Sequence, residues 1–455
     1  MTSIVWFRDD LRLADHAALL EASRDVGGVV ALYVLDEASA EARPLGGAAR
    51  WWLHRSLETL SDALAEFGVP LVLRSGPADR VLLEVVSEVD AQGVFWNRRY
   101  GPEREIDARA KAALRADGRD ARSFAGGLLF EPWQVATGEG AAYRVYSAFW
   151  RACLRGPAPA SPRPAPDTIE AAATQPRSEA LGDWGLIDLR WSGKLDAVWQ
   201  PGEAAASERL EAFLDERVAG YAGARDVPSR AATSNLSPHL RWGEISPRTV
   251  WWRTLDAAAA GASGSAGVGI FLSELGWREF AWHTLFHRGA LELDGLDRRF
   301  DAFAWRADTT AEAEAEAWRR GETGYPLVDA GMRELWQTGA MHNRVRMVTA
   351  SFLTKNLLVD WRDGEAWFWD TLVDADRASN PFNWQWVAGC GADAAPYFRV
   401  FNPLTQQKKF DPDGSYVYRW APDSLLVPPI ADLAETRVRA LAAYEQIKGV
   451  PRLPV

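Results

Sequence analysis

The sequence is poor in the residues that build disulfide frameworks and zinc sites. Its 455 residues contain only two cysteines, Cys153 and Cys390, far apart in the chain. Such a pair is typical of free thiols in a cytoplasmic protein. No run of about 18 apolar residues is present, which argues against a membrane span. Charges begin at Arg8, too early for the apolar stretch of a signal peptide. We therefore expect a cytoplasmic protein without a membrane partner.

Two common ligand signatures are also missing. No GxGxxG follows the first predicted strand, where the residues are RDDLRLADH, so the usual dinucleotide fingerprint is absent. Asp374 and Asp376 form a close carboxylate pair, but no histidine or glutamate clusters with them, and we predict no metal site. The net charge of −11 argues against a DNA-binding surface over the whole protein, although it is compatible with one basic face.

The first part of the chain alternates short apolar runs with helical patterns. TSIVWF, GVVALYVLD, VPLVLRSG and GVFWNR are each followed by a helical stretch, which predicts a doubly wound, Rossmann-like parallel sheet. Residues 156–178 hold six prolines and predict a linker or a surface-hugging connection. The remainder reads as nearly all helical, with a flexible loop at GASGSAGVG. We predict an α/β domain over 1–128, an interdomain linker over 129–200 and a helical domain over 201–455.

Tryptophan is unusually abundant, with 23 residues, of which sixteen lie in 191–455. Most of them are expected to pack in a helical core. The stretch NWQWVAGCGADAAPYF, residues 383–398, is different because it combines two tryptophans with a run of nearly bare backbone. Glycine lets a backbone approach a ligand closely, and aromatic faces stack on flat molecules. This stretch therefore indicates a site for a flat ligand.

Three other stretches carry possible site residues. In TSNLSPHL, Ser237 precedes a proline and predicts a helix start, whose free N–H groups can bind phosphate or simply be capped. In SELGWREF, Glu274, Trp277 and Arg278 share one helix face, as a site or as an ordinary ion pair beside a core tryptophan. His342 in MHNRVRM is more typical of a core histidine than of a catalyst.

Together these motifs resemble one family. TSNLSPHL, WREF, GYPLVDAGMREL, MHNRVRMVTASFL, DWRDGE and NWQWVAGCGADAAPYFRVFNP occur in this order over roughly residues 221–415, and VWFRDDLRLADHAAL lies near the start. The chain resembles the photolyase/cryptochrome flavoproteins over nearly its whole length, and most of all the class I cyclobutane pyrimidine dimer photolyases. The resemblance implies that the helical domain binds FAD and DNA.

The resemblance also implies which residues hold FAD. By position in the motifs, the cofactor-binding set is Tyr221, Thr233, Ser234, Leu236, Ser237, Arg346, Asp374, Asp376 and Asn380. Arg346 is expected to pair with one of the two aspartates beside the flavin ring. Asn380 is expected to face flavin N5, where photolyases carry Asn and plant-type cryptochromes usually carry Asp. A neutral amide can both donate and accept a hydrogen bond, which favours repair over signalling.

A second set is expected to contact a flipped-out lesion: Glu274, Trp277, Asn343, Arg344, Met347 and Trp386. The resemblance implies that the two tryptophans cradle the dimer, as stacking on a flipped dinucleotide requires. Lys408 and Lys409 are plausible contacts to the DNA backbone. The predicted catalytic residues are Glu274 and Asn380 together with a surface-to-flavin electron-transfer chain of Trp305, Trp361 and Trp384.

The implied activity is light-driven repair of pyrimidine dimers in UV-damaged DNA by a monomer, with an electron passing from photoexcited reduced FAD to the dimer. A cryptochrome-type blue-light receptor is one alternative, although only about 35 residues follow Trp420. A (6-4) photolyase is another, although that chemistry resembles one needing two histidines and this region offers only His342.

An antenna chromophore is also possible, and the sequence leaves its identity open. NRRYGPEREID lacks the Asn-Glu pair of many folate-binding relatives, although Glu103 could replace the glutamate. Asp36 and Arg50 would instead suit 8-hydroxydeazaflavin. Folate (MTHF) and deazaflavin both remain candidates at this point.

Overall fold

The computed structural model describes residues 1–261, 265–393 and 398–450. Its N-terminal part contains a five-stranded sheet in the order β3-β2-β1-β4-β5, with every strand pair parallel. The strands are β1 Ser3–Phe7, β2 Val29–Leu35, β3 Leu71–Ser75, β4 Gly93–Asn97 and β5 Asp120–Phe124. The order reverses direction at β1, which confirms the doubly wound prediction.

The fifth strand was not predicted from the sequence. Its residues, DARSF, include three polar side chains, and only Ala121 is fully buried. Because β5 is only partly buried, it needs no apolar run, so it lacks the signal that revealed the other four strands. The four predicted strands, in contrast, are buried along nearly their entire length.

Helices cover both faces of the sheet because its side chains alternate between two apolar layers. Val5 and Phe7 belong to the layer beneath α1 Ala17–Ala22 and α2 Gly47–Ala65. Ile4 and Trp6 belong to the layer beneath α3 Ala78–Val89 and α4 Arg104–Ala116. Alternate side chains of β1 therefore contribute to the two apolar layers on opposite faces of the sheet.

The proline-rich stretch lies along the α/β domain, as one of the two sequence interpretations proposed. It follows α5 Tyr146–Arg155 and precedes α6 Leu189–Asp196. Val29 N–H donates to the carbonyl of Glu170, and Ala172 N–H donates back to Val29. The segment is thus attached to an existing strand. The domain limits at 128 and 200 stay a prediction.

The remaining described helices form the second half of the chain. They are α7 Glu203–Glu216, α8 Tyr221–Ala224, α9 Ser237–Trp242, α10 Pro247–Ala259, α11 Ser265–Arg288, α12 Thr309–Arg320, α13 Pro326–Thr338, α14 Asn343–Ser351, α15 Trp361–Thr371, α16 Ser379–Ala388, α17 Pro403–Phe410, α18 Ser415–Trp420 and α19 Leu433–Lys448. Their largest apolar core includes Trp318, Phe352 and Trp384. Within the described ranges, no helix is long and apolar enough to cross a bilayer.

Two boundary predictions were wrong. The pattern NRVRMVTASFLTKNLLVDW predicts one continuous helix over 343–361. In the structure α14 ends at Ser351, a π-helical turn follows over Phe352–Asn356, and Leu358 with φ of +55° lies beyond it. Asp360 then caps α15 by accepting the N–H of Arg362. The loop expected over 261–269 is helical from Ser265 onward, where α11 begins, and residues 262–264 lie outside the described residues.

Paired charges buried between the two halves hold them together. Asp15, 1% exposed, accepts hydrogen bonds from Ser246 and Arg248 of the helical half. Arg12 donates in return to the carbonyl of Gly243 at 2.8 Å. Buried charges are tolerated only when they are paired or hydrogen-bonded, so these contacts tie the relative position of the halves to specific partners.

Glu279 on α11 is a further buried charge at this seam. It is 2% exposed, and its Oε2 accepts the N–H of Leu129 at 2.8 Å and of Phe130 at 3.2 Å. Burial raises the pKa of Glu279 from 4.5 to about 7, and Arg278 only partly opposes this effect. Its ionisation therefore opposes folding near neutral pH.

We expect the contribution of Glu279 to the free energy of unfolding to fall as pH rises from about 4.5 to 7. Because the folded pKa exceeds the unfolded one, the stabilising contribution is complete below the unfolded pKa and lost above the folded pKa. Glu279→Gln keeps an acceptor oxygen for both N–H groups but cannot titrate, so it should flatten this dependence by up to about 3 kcal/mol. Urea unfolding across this pH range measures it, with exposed Glu84→Gln as the control. An unchanged slope in Glu279→Gln would contradict the assignment.

Candidate cofactor and nucleic-acid site

Three segments of the helical half meet at Asp374. Ser237, the first residue of α9, donates its hydroxyl to Asp374 Oδ2 at 2.6 Å. Arg346 on α14 donates to the same oxygen at 3.0 Å and anchors its own guanidinium on the carbonyl of Met341 at 2.7 Å. Three residues that are far apart in sequence are thus joined through one carboxylate.

The other carboxylate oxygen of Asp374 has a different environment. Asp374 Oδ1 is buried and has no hydrogen-bond partner within the described part of the chain. An unsatisfied buried acceptor is costly, roughly 1–3 kcal/mol, and native structures rarely leave one without a partner. The oxygen is therefore suited to accept a hydrogen bond from a ligand N–H.

The loop before α9 contains the other predicted phosphate-side residues. Asn235 adopts a left-handed backbone with φ of +52°, and its side-chain oxygen accepts from Thr233 at 3.1 Å. Leu236, not Ser237, is the N-cap position of α9. The predicted capping role of Ser237 is wrong, because the hydroxyl instead donates to Asp374. Ser234 Oγ accepts the N–H of Leu236 at 3.4 Å.

Tyr221 packs in an aromatic cluster with Phe213 and Phe271. It is buried at the start of α8, edge-on to Phe213 at 5.5 Å and to Phe271 at 5.7 Å between ring centroids. Burial raises the pKa of Tyr221 to about 12, so its hydroxyl stays neutral. The ring is fixed in place, with a hydroxyl that can still donate.

The amide of Asn380 is held by the preceding helix. Its Nδ2 donates to the backbone carbonyl of Glu365 at 3.1 Å and to Glu365 Oε1 at 2.8 Å. Trp384 lies one turn further along α16, in the apolar core. Asn380 is 8% exposed, so this arrangement is largely shielded from solvent.

Asp376 differs from its neighbour Asp374. Its Oδ1 accepts the N–H groups of Ala378 and Ser379, which stabilises the start of α16. The residue also lines a cavity between the two halves of the chain. The sequence predicts that Asp374 and Asp376 both lie beside the flavin ring, and for both residues that position stays a prediction.

The three predicted electron-transfer tryptophans share one apolar core. Trp361 and Trp384 are 1% and 2% exposed, and the partly buried Trp305 packs against the same core. Trp384 fits against α15 only because residue 364 is glycine: a methyl group there would overlap its ring. A chain of electron transfer through these rings stays a prediction.

The predicted lesion-side residues of α11 have partners that the sequence spacing did not predict. Glu274 pairs with Arg225, the C-cap residue of α8, at 2.5 Å. It does not pair with Arg278, which donates to the carbonyl of Gly127 at the domain seam. Trp277 stacks on Tyr146 with centroids 3.7 Å apart and planes 12° apart. Tyr146 was not predicted, because its aromatic-rich stretch lies in the segment interpreted as a linker.

The first turns of α14 carry Asn343, Arg344 and Met347. Asn343 is exposed, and Arg344 pairs with Asp226 at 2.9 Å. The Arg344 guanidinium lies 4.5 Å from the Phe410 ring centroid, and the Lys409 ammonium lies 4.9 Å from the same centroid. The partly buried Arg344 of α14 and the exposed Lys409 of α17 therefore meet at one aromatic ring.

His342 is the N-cap of α14. Its Nδ1 accepts the N–H of Arg344, and burial lowers the pKa of His342 to about 4. A neutral capping imidazole has the structural role that the sequence favoured.

The stretch that first indicated a flat ligand has a partly different role. Gly389 adopts φ of +96° and ends α16 as its C-cap, so this glycine has a helix-terminating function. Trp386 donates its indole N–H to the carbonyl of Asp393 at 3.2 Å. Residues 394–397 of this stretch lie outside the described residues.

A large cavity opens between the halves, at the carboxyl ends of β1, β2 and β4. Its lining includes Arg8, Asp36 and Arg99, which directly follow or nearly follow these strands, together with Glu103 and Arg377. This is the switch point of the sheet, where doubly wound folds bind ligands. Basic residues at strand ends are the sequence signal that could have revealed it. Arg50 does not line the cavity but pairs with Glu37, which does.

Comparisons with known proteins agree with this architecture. Residues 3–167 match the family described as DNA photolyase, and residues 271–431 match the FAD binding domain of DNA photolyase. The chain is 47% identical to the deoxyribodipyrimidine photo-lyase of Agrobacterium fabrum, over 98% of both proteins. The chain belongs to the photolyase/cryptochrome family.

Other members of the photolyase/cryptochrome family are similar too. The chain is 38% identical to Cryptochrome-1 of Arabidopsis thaliana over 94% of this chain and 63% of that protein. A crystal structure of a bacterial class III photolyase from Agrobacterium tumefaciens aligns with a TM-score of 0.93 and 47% identity, covering 98% of both chains. The family, the two-part fold and the FAD-binding domain predicted from sequence are confirmed.

The site residues of this photolyase-family chain fit FAD. The unsatisfied Asp374 Oδ1 suits the imide N–H of an isoalloxazine ring, which is a flat donor of the required kind. Arg346 and Ser237 fix the orientation of that carboxylate. Asn380 and Tyr221 add polar groups that can contact the cofactor.

We expect Gly364→Ala to destabilise the protein by about 1–3 kcal/mol, because overpacking forces Trp384 out of its position. Urea unfolding measures the change. Gly269→Ala in α11 is the control, since its added methyl group meets no atom within 4 Å and alanine is the better helix former. Equal stability of Gly364→Ala and the native chain would show that α15 and α16 adjust freely.

Proposed function

We propose that this protein repairs cyclobutane pyrimidine dimers in DNA by light-driven electron transfer. The observation that carries the proposal is that α14 carries both a residue bound to Asp374 and residues of the predicted lesion side. Arg346 on this helix binds the Asp374 carboxylate, while Asn343 and Met347, within one turn, belong to the predicted lesion side. Helices α14 and α11 both pack against α16, which carries Asn380 and Trp386.

When bound, reduced FAD supplies the blue-light absorption and the electron that opens the dimer. The protein supplies position and electrostatics. Arg346 balances the charge of Asp374 and, with Ser237, leaves Oδ1 as the acceptor for the cofactor. Asn380 contributes a neutral amide whose orientation is fixed by Glu365.

Lesion recognition is carried by residues that are already held in place. Trp277 is fixed by its stack on Tyr146, whose hydroxyl donates to the carbonyl of Ser273 at 2.7 Å. A fixed aromatic wall loses little freedom when a flipped base stacks on it. Arg225 holds Glu274 as an oriented hydrogen-bond acceptor for the pyrimidine edges.

The alternatives receive less support from particular residues. Similarity to Cryptochrome-1 keeps a sensory role as the second candidate, but Asn380 carries the amide associated with repair. For a (6-4) substrate, His342 is occupied as a helix cap. The sequence resembled class I enzymes, whereas the similar solved structure is called class III, and we propose the class III assignment for this chain.

The cavity between the halves is the proposed site of an antenna chromophore. Asp36 and Glu103, named as candidate antenna contacts from the sequence, both line it. Its arginines suit an anionic chromophore, which folate and deazaflavin both satisfy, so the choice between them stays open. We further propose a cytoplasmic monomer, which accords with two buried free cysteines.

We expect the purified, photoreduced protein to restore normal thymine absorbance in a thymine-dimer oligonucleotide under blue light and not in darkness. Trp277→Ala should weaken binding of the dimer by about 1–3 kcal/mol, the usual worth of one stacked base. Trp336→Ala, in an exposed tryptophan of α13, is the matched control. Bound, photoreducible FAD without repair would contradict the proposal and favour a sensor or a (6-4) substrate.

We expect the basic residues of α17 near Phe410 to contribute to DNA binding. Lys408→Ala with Lys409→Ala should weaken duplex binding uniformly across sequences and reduce the log–log salt slope by about 2, roughly one ion per lost phosphate contact. Fluorescence anisotropy at several salt concentrations measures the slope. Lys194→Ala with Lys448→Ala changes the net charge equally and should leave the slope unchanged. Equal slopes in the two double variants would exclude α17 from the interface.

A further inference from the structure

Arg43 of the α/β half contacts two residues of the helical half. This residue lies between β2 and α2 and forms a two-pronged ion pair with Glu365 of α15, with both N–O distances 2.8 Å. Its guanidinium also lies 3.9 Å from the ring centroid of Trp369. The Glu365 side chain is only 3% exposed, so its orientation is set by these contacts and not by solvent. A bidentate Arg–carboxylate pair fixes geometry as well as charge.

The same carboxylate restrains Asn380. Glu365 Oε1, already bound by Arg43, accepts one Nδ2 hydrogen at 2.8 Å, and the Glu365 backbone carbonyl accepts the other at 3.1 Å. Both amide hydrogens are therefore used on acceptors that cannot donate in return. A flipped amide would place its oxygen against two acceptor oxygens, which is unfavourable.

The amide oxygen of Asn380 is left available. Within the described ranges, no donor to it is present, and the residue is 8% exposed. In the proposed function, on which this inference rests, Asn380 faces flavin N5. The oxygen would then be presented to the ring as a hydrogen-bond acceptor, and the amide hydrogens would point away from it.

We propose that Glu365 is a positioning residue that locks the Asn380 amide with its oxygen toward the flavin, and that Arg43 holds Glu365 for this purpose. An acceptor at this place stabilises a flavin that carries a hydrogen on N5, as the reduced form does. It disfavours the oxidised form, whose N5 is itself an acceptor. The lock therefore raises the midpoint potential of bound FAD and favours its reduced form.

The test is a potentiometric titration of FAD in the holoprotein, which reads the cofactor's redox equilibrium and not repair. Glu365→Ala frees the amide to rotate and donate to N5, so the equilibrium constant for reduction should fall about fivefold, the worth of one hydrogen bond. Arg43→Lys keeps the charge but loses the two-pronged contact, and should give a smaller fall in the same direction. If Glu365→Ala does not fold, the potential measured for Arg43→Lys tests the proposal in its place.

A double-mutant cycle shows whether Glu365 acts through Asn380. Asn380→Ala should itself shift the potential, and adding Glu365→Ala should then change nothing further. Arg109→Gln is the control, because it removes an ion pair with Glu41 and Asp79 inside the α/β half, away from Asn380. It should leave the potential unchanged.

Two results would overturn the inference in different ways. A shift from Glu365→Ala that persists in the Asn380→Ala background would show that the carboxylate acts directly and not through the amide. No shift from Asn380→Ala would remove Asn380 from the flavin and with it the lock. Repair of the thymine-dimer oligonucleotide is measured separately, so repair with unchanged potentials would overturn the lock and leave the proposed function standing.

Discussion

The buried, paired charges between the two halves are the constraint on which the site depends. Asp15 with Arg248 and Glu365 with Arg43 each join an α/β residue to a helical one. Because a buried charge that loses its partner is strongly destabilising, these pairs permit few alternative arrangements of the halves. The connection that carries Asp374 and the helix α16 that carries Asn380 are thereby fixed against a scaffold that contributes no predicted flavin contact of its own.

Shared side chains make the site compact. Asp374 binds groups from α9 and α14, and Glu365 binds groups from α16 and the α/β half. Each of these two carboxylates holds two or more segments together. Asp374 Oδ1 and the amide oxygen of Asn380 stay available for a ligand. This arrangement is expected of a site whose protein groups orient a bound cofactor.

The acidic composition is compatible with a DNA substrate because basic groups are concentrated locally. Arg344 and Lys409 meet at the Phe410 ring, although Asp226 balances part of the charge. Trp277 of α11 and Tyr146 of α5 form a stacked pair that could receive a base. Local geometry, and not the net charge of −11, therefore decides whether this protein can bind a polyanion.

Strong periodic signals determined much of the fold from sequence. The buried strands β1 to β4, their helices and the family motifs were all predicted, because apolar period and motif order are local properties. The polar edge strand β5 and the π-helical turn at Phe352–Asn356 were missed, since neither has a distinctive local pattern. Candidate residues such as Arg346 and Asp374 were named from motif resemblance, and their pairing was expected.

The sequence by itself determined the family, the two-part architecture and the candidate residues. Only the tertiary structure decided their partners: Arg225 instead of Arg278 for Glu274, Tyr146 for Trp277, and Arg43 for Glu365. These partners are separated by tens to hundreds of residues, so no helical or strand period encodes them. They form when distant segments pack and each buried polar group must find a donor or an acceptor.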